Sequence, residues 1–166
     1  ENFANYFIIE FDKPVVEYGI DENSCAYVKF QLEAGEKMTV RTASSFISHD
    51  QARLNFNREV AGRSLAEVSA EAKKIWNDQL GRIQVEGGTH EQQKTFYSCL
   101  YRTLLFPREF YEFDSDNNPV YYSPYDGQLH DGYMYTDNGF WDTFRAVHPL
   151  FTLAYTEVSG RIMQSI

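Results

Sequence analysis

"NREVAGRSLAEVSAEAKKIWNDQLG", residues 57–81, is where the chain changes its period. Before it, "NYFIIEFD" (5–12), "CAYVKFQL" (25–32) and "KMTVRTASSFI" (37–47) are short, partly alternating and rich in aromatic and β-branched residues, as half-buried strands are. Gly19 and "EAGEK" (33–37) break them with turn chemistry. No strand is followed by a crossover helix, so antiparallel pairing in a sandwich or meander is expected, not a doubly wound parallel sheet. Within the quoted stretch, Ser64 and Glu67 have the spacing of a capping box, in which each side chain satisfies a free backbone N–H. Leu65, Val68, Ala72, Ile75 or Trp76, and Leu80 then recur every three to four residues, and Gly81 supplies a left-handed stop. A helix over 64–80 follows, and the fold class is α+β.

The same signals carry forward. Thr89 and Gln92 repeat the capping spacing, Phe96, Leu100 and Leu104 form a stripe, and Pro107 ends the segment, which predicts a helix over 90–105. Residues 107–136 have no sustained period. "FDSDNNPVYYSPYDGQLHDGYMYTD" (113–137) is loop chemistry threaded with Tyr, and such aromatic content argues for an ordered excursion with one or two short strands. A third helix is expected from about residue 138, with Trp141, Arg145 and His148 sharing a face beside Phe144 and with Pro149 kinking or splitting it. A last segment, 156–166, places Val158, Ile162, Met163 and Ile166 on one stripe, with nothing after it to cover them.

Bulk properties narrow the function. Lys+Arg 15 against Asp+Glu 24 gives a net charge of −9, with no basic cluster, so a nucleic-acid partner is not expected. No run of about 18 apolar residues is present to span a membrane. The opening "ENFANYF" carries neither an initiating Met nor a leader pattern, and reads like the middle of a larger protein. Cys25 and Cys99 are too far apart in sequence for a paired zinc site; buried free thiols and a single disulfide are the two readings. Aromatic residues make up 16% of the chain, 12 of them Tyr, which suits a surface meeting sugars or a contact between domains.

Three groups are chemical candidates. "DSDNNP" (114–119) opens like a calcium loop, but its sixth position is Pro119 where Gly is needed and its twelfth is Tyr125 where a bidentate Glu is needed. His130, Asp131 and Asp137 offer metal-ligand types, although loop carboxylates are more commonly turn-formers or caps, and Asp137 or Asn138 is the natural N-cap of the third helix. Trp141 and Asp142 open that helix. They read either as a core Trp beside an Asp paired with Arg145, or as a sugar platform of aromatic face, carboxylate and guanidinium.

The order of four stretches resembles glycoside hydrolase family 92, the calcium-dependent exo-α-mannosidases found largely in gut bacteria and their relatives. They are "VRTASSFISHDQARLNFNREV" (40–60), "WNDQL" (76–80), "FYSCLYRTLLFP" (96–107) and "SPYDGQLHDGYMYTDNGFWDTFRAVHPLFTL" (123–153), with "WDTFRAVHPL" the most distinctive. The resemblance implies the last strands of a β-sandwich domain (1–57), a helical linker (58–108) and the first helices of an (α/α)6 barrel (109–166). It implies removal of terminal α-linked mannose from oligosaccharides or N-glycans with inversion, in a periplasmic or cell-surface protein whose remaining polypeptide completes the site. The catalytic acid, the base and the calcium ligands are expected beyond residue 166, so the chain alone is expected to be inactive. Trp141 and Asp142 correspond to contacts with the terminal mannose, with Arg145 in support and Tyr135 lining the same cleft. The segment "YGIDENSC" (18–25) is shorter than the family's usual one. The rival reading is a non-catalytic carbohydrate-binding or structural module with an aromatic-rich surface.

Overall fold

Every strand among the described residues pairs antiparallel, in four small sheets, in a computed structural model that describes residues 3–165. The chain divides into two compact units, and the α+β class follows from both. The first, Asn5–Gly62, holds β1 (Tyr6–Phe11), β2 (Glu17–Ile20), β3 (Ala26–Lys29), β4 (Val40–Ser45) and α1 (His49–Glu59). β1 pairs with β4 in a register that sets Tyr6 against Ser45 and Phe11 against Val40. β2 pairs with β3, and Gly19 lies inside β2 instead of breaking the chain there. The reason is a ring: a Cβ on Gly19 would stand 2.9 Å from the Tyr27 hydroxyl oxygen.

Periodicity over so polar a stretch does not predict α1. Its signals are local: the Ser48 hydroxyl caps the first turn by accepting from the Gln51 N–H (3.0 Å), and Ala52 and Phe56, one turn apart, are both buried. The Asn55 amide donates to the Ser44 carbonyl (3.0 Å), and Tyr6 meets His49 edge-on at 4.9 Å, which ties the helix to both strands.

The second unit, Arg63–Ile166, also takes in the residues before Asn5. α2 (Leu65–Leu80) and α3 (His90–Thr103) both carry the complete capping boxes expected at Ser64/Glu67 and Thr89/Gln92. Gly81 ends α2 with right-handed φ −69°, not the left-handed stop expected, and is glycine because a Cβ there would lie 2.8 Å from the Asn77 carbonyl oxygen. The α2 stripe is only partly used: Leu65 and Ile75 are exposed, while Trp76 meets Tyr101 at 4.5 Å and Leu80 packs on the core.

The excursion that follows holds five strands: β5 (Arg108–Glu109), β6 (Glu112–Phe113), β7 (Pro119–Tyr122), β8 (Leu129–Asp131) and β9 (Tyr135–Thr136). β6, β7 and β8 form one meander, and β5 pairs with β9 across it. Aspartates shape the turns. Asp114 Oδ1 accepts from the Asp116 and Asn118 N–H groups (2.9 and 2.8 Å), so "DSDNNP" makes a β6–β7 hairpin turn. Asp126 accepts from the Gln128 N–H (3.0 Å) and bridges His130 (2.8 Å), whose ring stacks on Tyr121.

Three helices complete the unit: α4 (Phe140–Thr143), α5 (Val147–Ala154) and α6 (Thr156–Gln164). The expected third helix is therefore two. The break falls at Phe144–Ala146 and not at Pro149, which occupies the third position of α5, where a helical N–H has no intrahelical partner to lose. Met163 is exposed while Ile162 is buried; Ile166, assigned to the same stripe, lies outside the described residues. Leu100, Tyr135, Phe151, Tyr155 and Ile162 form the core. Both cysteines are free and exposed, which corrects the expectation of buried thiols.

Two predictions follow from these contacts. Phe151→Ala, at a fully enclosed site, is expected to lower unfolding free energy by about 3–5 kcal/mol, whereas Ser64→Ala, at an exposed cap, lowers it by about 0.5–2 kcal/mol. Denaturant titration of both variants checks the order, and a larger loss at Ser64 would refute it. The second concerns pH. The Gln128 N–H and the His130 ring hold the Asp126 carboxyl below its ordinary value. A depressed folded pKa contributes stability above the unfolded value, about 3.9 for Asp, and that contribution is lost as pH falls through the folded one. Amide exchange at Gln128 should accelerate in that acid range more in the wild type than in Asp126→Asn.

Candidate functional site

The polar and aromatic residues of "DNGFWDTFR" (137–145) occupy a short structure built for exposure. Asp137 takes a left-handed φ of 60°, and Gly139, not Asp137 or Asn138, is the residue at the N-cap of α4. Bonds from the Asp142 and Thr143 N–H groups to the Gly139 carbonyl (2.9 and 3.1 Å) close its single turn. The Asp142 carboxylate folds back over the start of the helix, where the free N–H groups favour negative charge; a Cβ on residue 139 would lie 2.7 Å from its Oδ2. Trp141 is 82% exposed, with Phe140 and Phe144 also at the surface. Arg145 lies 5.4 Å over the Phe144 ring and not against Asp142. Neither Asp142 nor Arg145 has an ion-pair partner among the described residues, which removes the reading of Asp142 as one half of a helical ion pair.

The structure thus brings Trp141, Asp142 and Arg145 to one exposed turn and its edge. A flat indole, an unpaired carboxylate and a guanidinium are what a sugar ring needs: a face for its C–H groups, an acceptor and a donor for its hydroxyls. Tyr135 is placed differently. It belongs to the core and lines a cavity of about 710 Å3 with Trp76, Arg82, Phe106, Glu109 and Arg161, and Trp141, Asp142 and Arg145 do not line that cavity. The Tyr135 hydroxyl sits among Tyr111, Glu109 and Arg161, and burial pushes both phenols up from their usual value. The Tyr135 hydroxyl and Arg161 Nε are enclosed without a hydrogen bond of normal geometry. Glu109 is instead engaged by the Tyr111 hydroxyl, which donates to it at 3.0 Å.

Other candidates have structural partners. Asp137 pairs with Arg108 at 3.4 Å, and His130 pairs with Asp126. No three His, Cys, Asp or Glu side chains stand together among the described residues, so these residues do not by themselves fit a calcium site. No helix of the described residues is long and apolar enough to cross a membrane. Sequence reasoning missed a polar cluster behind the exposed turn. Thr143 Oγ1 donates to Asn138 Oδ1 (3.2 Å), and the Asn138 amide nitrogen faces His148 Nε2 at 3.5 Å, while the His148 ring packs 5.5 Å from Phe140. The spacing of Asn138, Thr143 and His148 matches no helical repeat, because a break separates them.

Known proteins are similar to all or part of this chain. An inverting mannosidase of family GH92 from Bacteroides thetaiotaomicron VPI-5482 is 64% identical with a TM-score of 0.95, over 100% of this chain and 24% of that one. A family GH92 alpha-mannosidase from the same species, solved in complex with mannoimidazole, is 27% identical with a TM-score of 0.75, over 89% of this chain and 22% of that one. A secreted glycosidase of Arthroderma benhamiae is 30% identical over 103 residues, which are 58% of this chain and 13% of that protein. The chain therefore spans a quarter or less of the length of these relatives. The sequence model of the glycosyl hydrolase family 92 catalytic domain matches residues 51–166, and this chain belongs to that family.

Proposed function

We propose that this chain is part of a longer exo-α-mannosidase and supplies one wall of the pocket that holds the terminal mannose. The observation that carries the reading is the exposed Trp141 beside an Asp142 carboxylate without an ion-pair partner, in a chain 64% identical to part of an inverting mannosidase. Trp141 covers an apolar face of the sugar, Asp142 accepts from its hydroxyls and Arg145 supports the edge. Tyr135 contributes from the core, through the strand that leads into this turn. The mannoimidazole complex of a relative supports a mannoside as ligand.

Inversion requires a general acid on the leaving oxygen and a general base on a water, their carboxyls roughly 6.5–9.5 Å apart. In this reading both groups, and the calcium ligands, come from the rest of the polypeptide. The bound calcium would supply charge to orient mannose hydroxyls; this chain's residues bind and orient the ring. The substrate is a terminal α-mannoside of an oligosaccharide or N-glycan. A periplasmic or cell-surface location agrees with the secreted relative.

Two outcomes test this. The 166-residue chain alone, given an aryl α-mannoside and calcium, is expected to show only background hydrolysis; turnover by the pure chain would require an acid–base pair within it. In the longer polypeptide, Asp142→Asn is expected to abolish most activity with little change in thermal stability. The helix-start charge contributes only about 0.3–1 kcal/mol, while the amide replaces an acceptor with a donor where hydroxyls must be accepted. Near-normal kinetics with a lowered melting temperature would reduce Asp142 to a helix-start residue and favour a structural role for the turn.

A further inference from the structure

We propose that Asn138 is a positioning residue: its amide clasps the short helix α4 to α5 and so sets the direction in which Trp141 and Asp142 face the sugar. The proposal rests on the reading of Asp142 as an acceptor of mannose hydroxyls.

Four residues of helix do not hold themselves. Nucleation costs more than so few hydrogen bonds return, and α4 has no side-chain cap. Its last backbone bond runs from the Phe144 N–H to Phe140, and the first of α5 runs from the Leu150 N–H to Ala146, so none of these bonds crosses the break. Something else must fix the turn. The Arg108–Asp137 pair is weak support, since its side chains are 62% and 49% exposed and such pairs are screened by solvent.

Asn138 is better placed. It is part-buried, and its two amide atoms reach in different directions. Oδ1 accepts from the hydroxyl of Thr143, the last residue of α4, and Nδ2 faces Nε2 of His148 in α5. The amide nitrogen can only donate, so the contact is a hydrogen bond in the ring form whose Nε2 carries no proton. The one hydroxyl proton of Thr143 is shared between Asn138 Oδ1 and the Gly139 carbonyl (3.0 Å), and the His148 ring is held by Phe140 at 5.5 Å and Phe151 at 6.4 Å. The clasp therefore runs from the exposed turn to a fully buried core residue.

If it opens, α4 is free to tilt and carries the Asp142 carboxylate with it. A misplacement of about 1 Å costs up to ~100-fold in rate. The test uses the longer polypeptide that carries this chain, an aryl α-mannoside, and Asn138→Ala, Asn138→Asp and Asp142→Asn measured side by side with thermal unfolding. Asn138→Ala is expected to lower kcat by roughly 10- to 100-fold with KM changed by less than about threefold and the unfolding midpoint unchanged. Asn138→Asp is expected to recover most of the loss, because a carboxylate accepts from Thr143 and from the other His148 tautomer. Wild-type kcat in Asn138→Ala beside an inactive Asp142→Asn would overturn the clasp alone. Wild-type kinetics in Asp142→Asn would instead overturn the functional reading beneath it. Equal losses in both Asn138 variants with a lowered midpoint would mean a merely structural residue and would also overturn the clasp. Should Asn138→Ala fail to fold, Thr143→Val against Thr143→Ser reads the same bond from its other end, with loss expected only for Val.

Discussion

Tyr155 has no accessible surface and stands between two helices, at the end of α5 and the start of α6. A phenol buried this deeply needs a partner for its hydroxyl, and it donates to the Gln79 carbonyl (3.1 Å) in the last turn of α2. Its ring carries the Arg82 guanidinium at 5.2 Å, and the same arginine reaches the Ala154 carbonyl (3.3 Å) and Glu157 (3.0 Å). One side chain thus fixes the end of one helix, the corner between two others and the charge above them. Phe151 and Ile162 close around it. The direction in which α5 leaves this corner in turn sets where His148 stands, and so where the exposed turn can be held.

That turn combines features that a stable core would not keep. Trp141, Phe140 and Phe144 are large apolar groups at the surface, and α4 is too short to be stable alone. Its order comes from behind, through polar contacts that reach the core. In the proposed reading as a sugar-binding wall this division has a use, since the atoms that touch ligand must be free while their backbone is not.

The excursion before it shows how a polar stretch becomes ordered. Asp114 and Asp126 each tie down the backbone N–H groups of their own turns, so the hairpins do not depend on a packed face for their shape. Tyr111, Tyr133 and Tyr135 then meet one another at ring distances of 4.9 and 5.8 Å from Tyr111, and Arg161 lies 5.6 Å over Tyr133. The tyrosines that made the segment look like a ligand surface in sequence are here, in part, its internal packing.

Both capping boxes, the antiparallel strands and the family resemblance of "WDTFRAVHPL" were legible because each signal acts within about four residues of itself. Trp141, Asp142 and Arg145 could be named for the same reason, being neighbours in sequence. Other features were decided only by tertiary contact. Gly19 stays inside a strand because the Tyr27 ring crosses it. α1 folds because Ala52 and Phe56 find a buried site, although its composition is too polar to announce a helix. The break at Phe144–Ala146 and the Asn138 contacts join groups with no periodic relation. Tyr135 is drawn into the core by partners far along the chain, Leu100 and Ile162 among them. Sequence pattern determines which backbone a stretch prefers; which side chains are enclosed depends on distant groups that arrive only when the chain has folded.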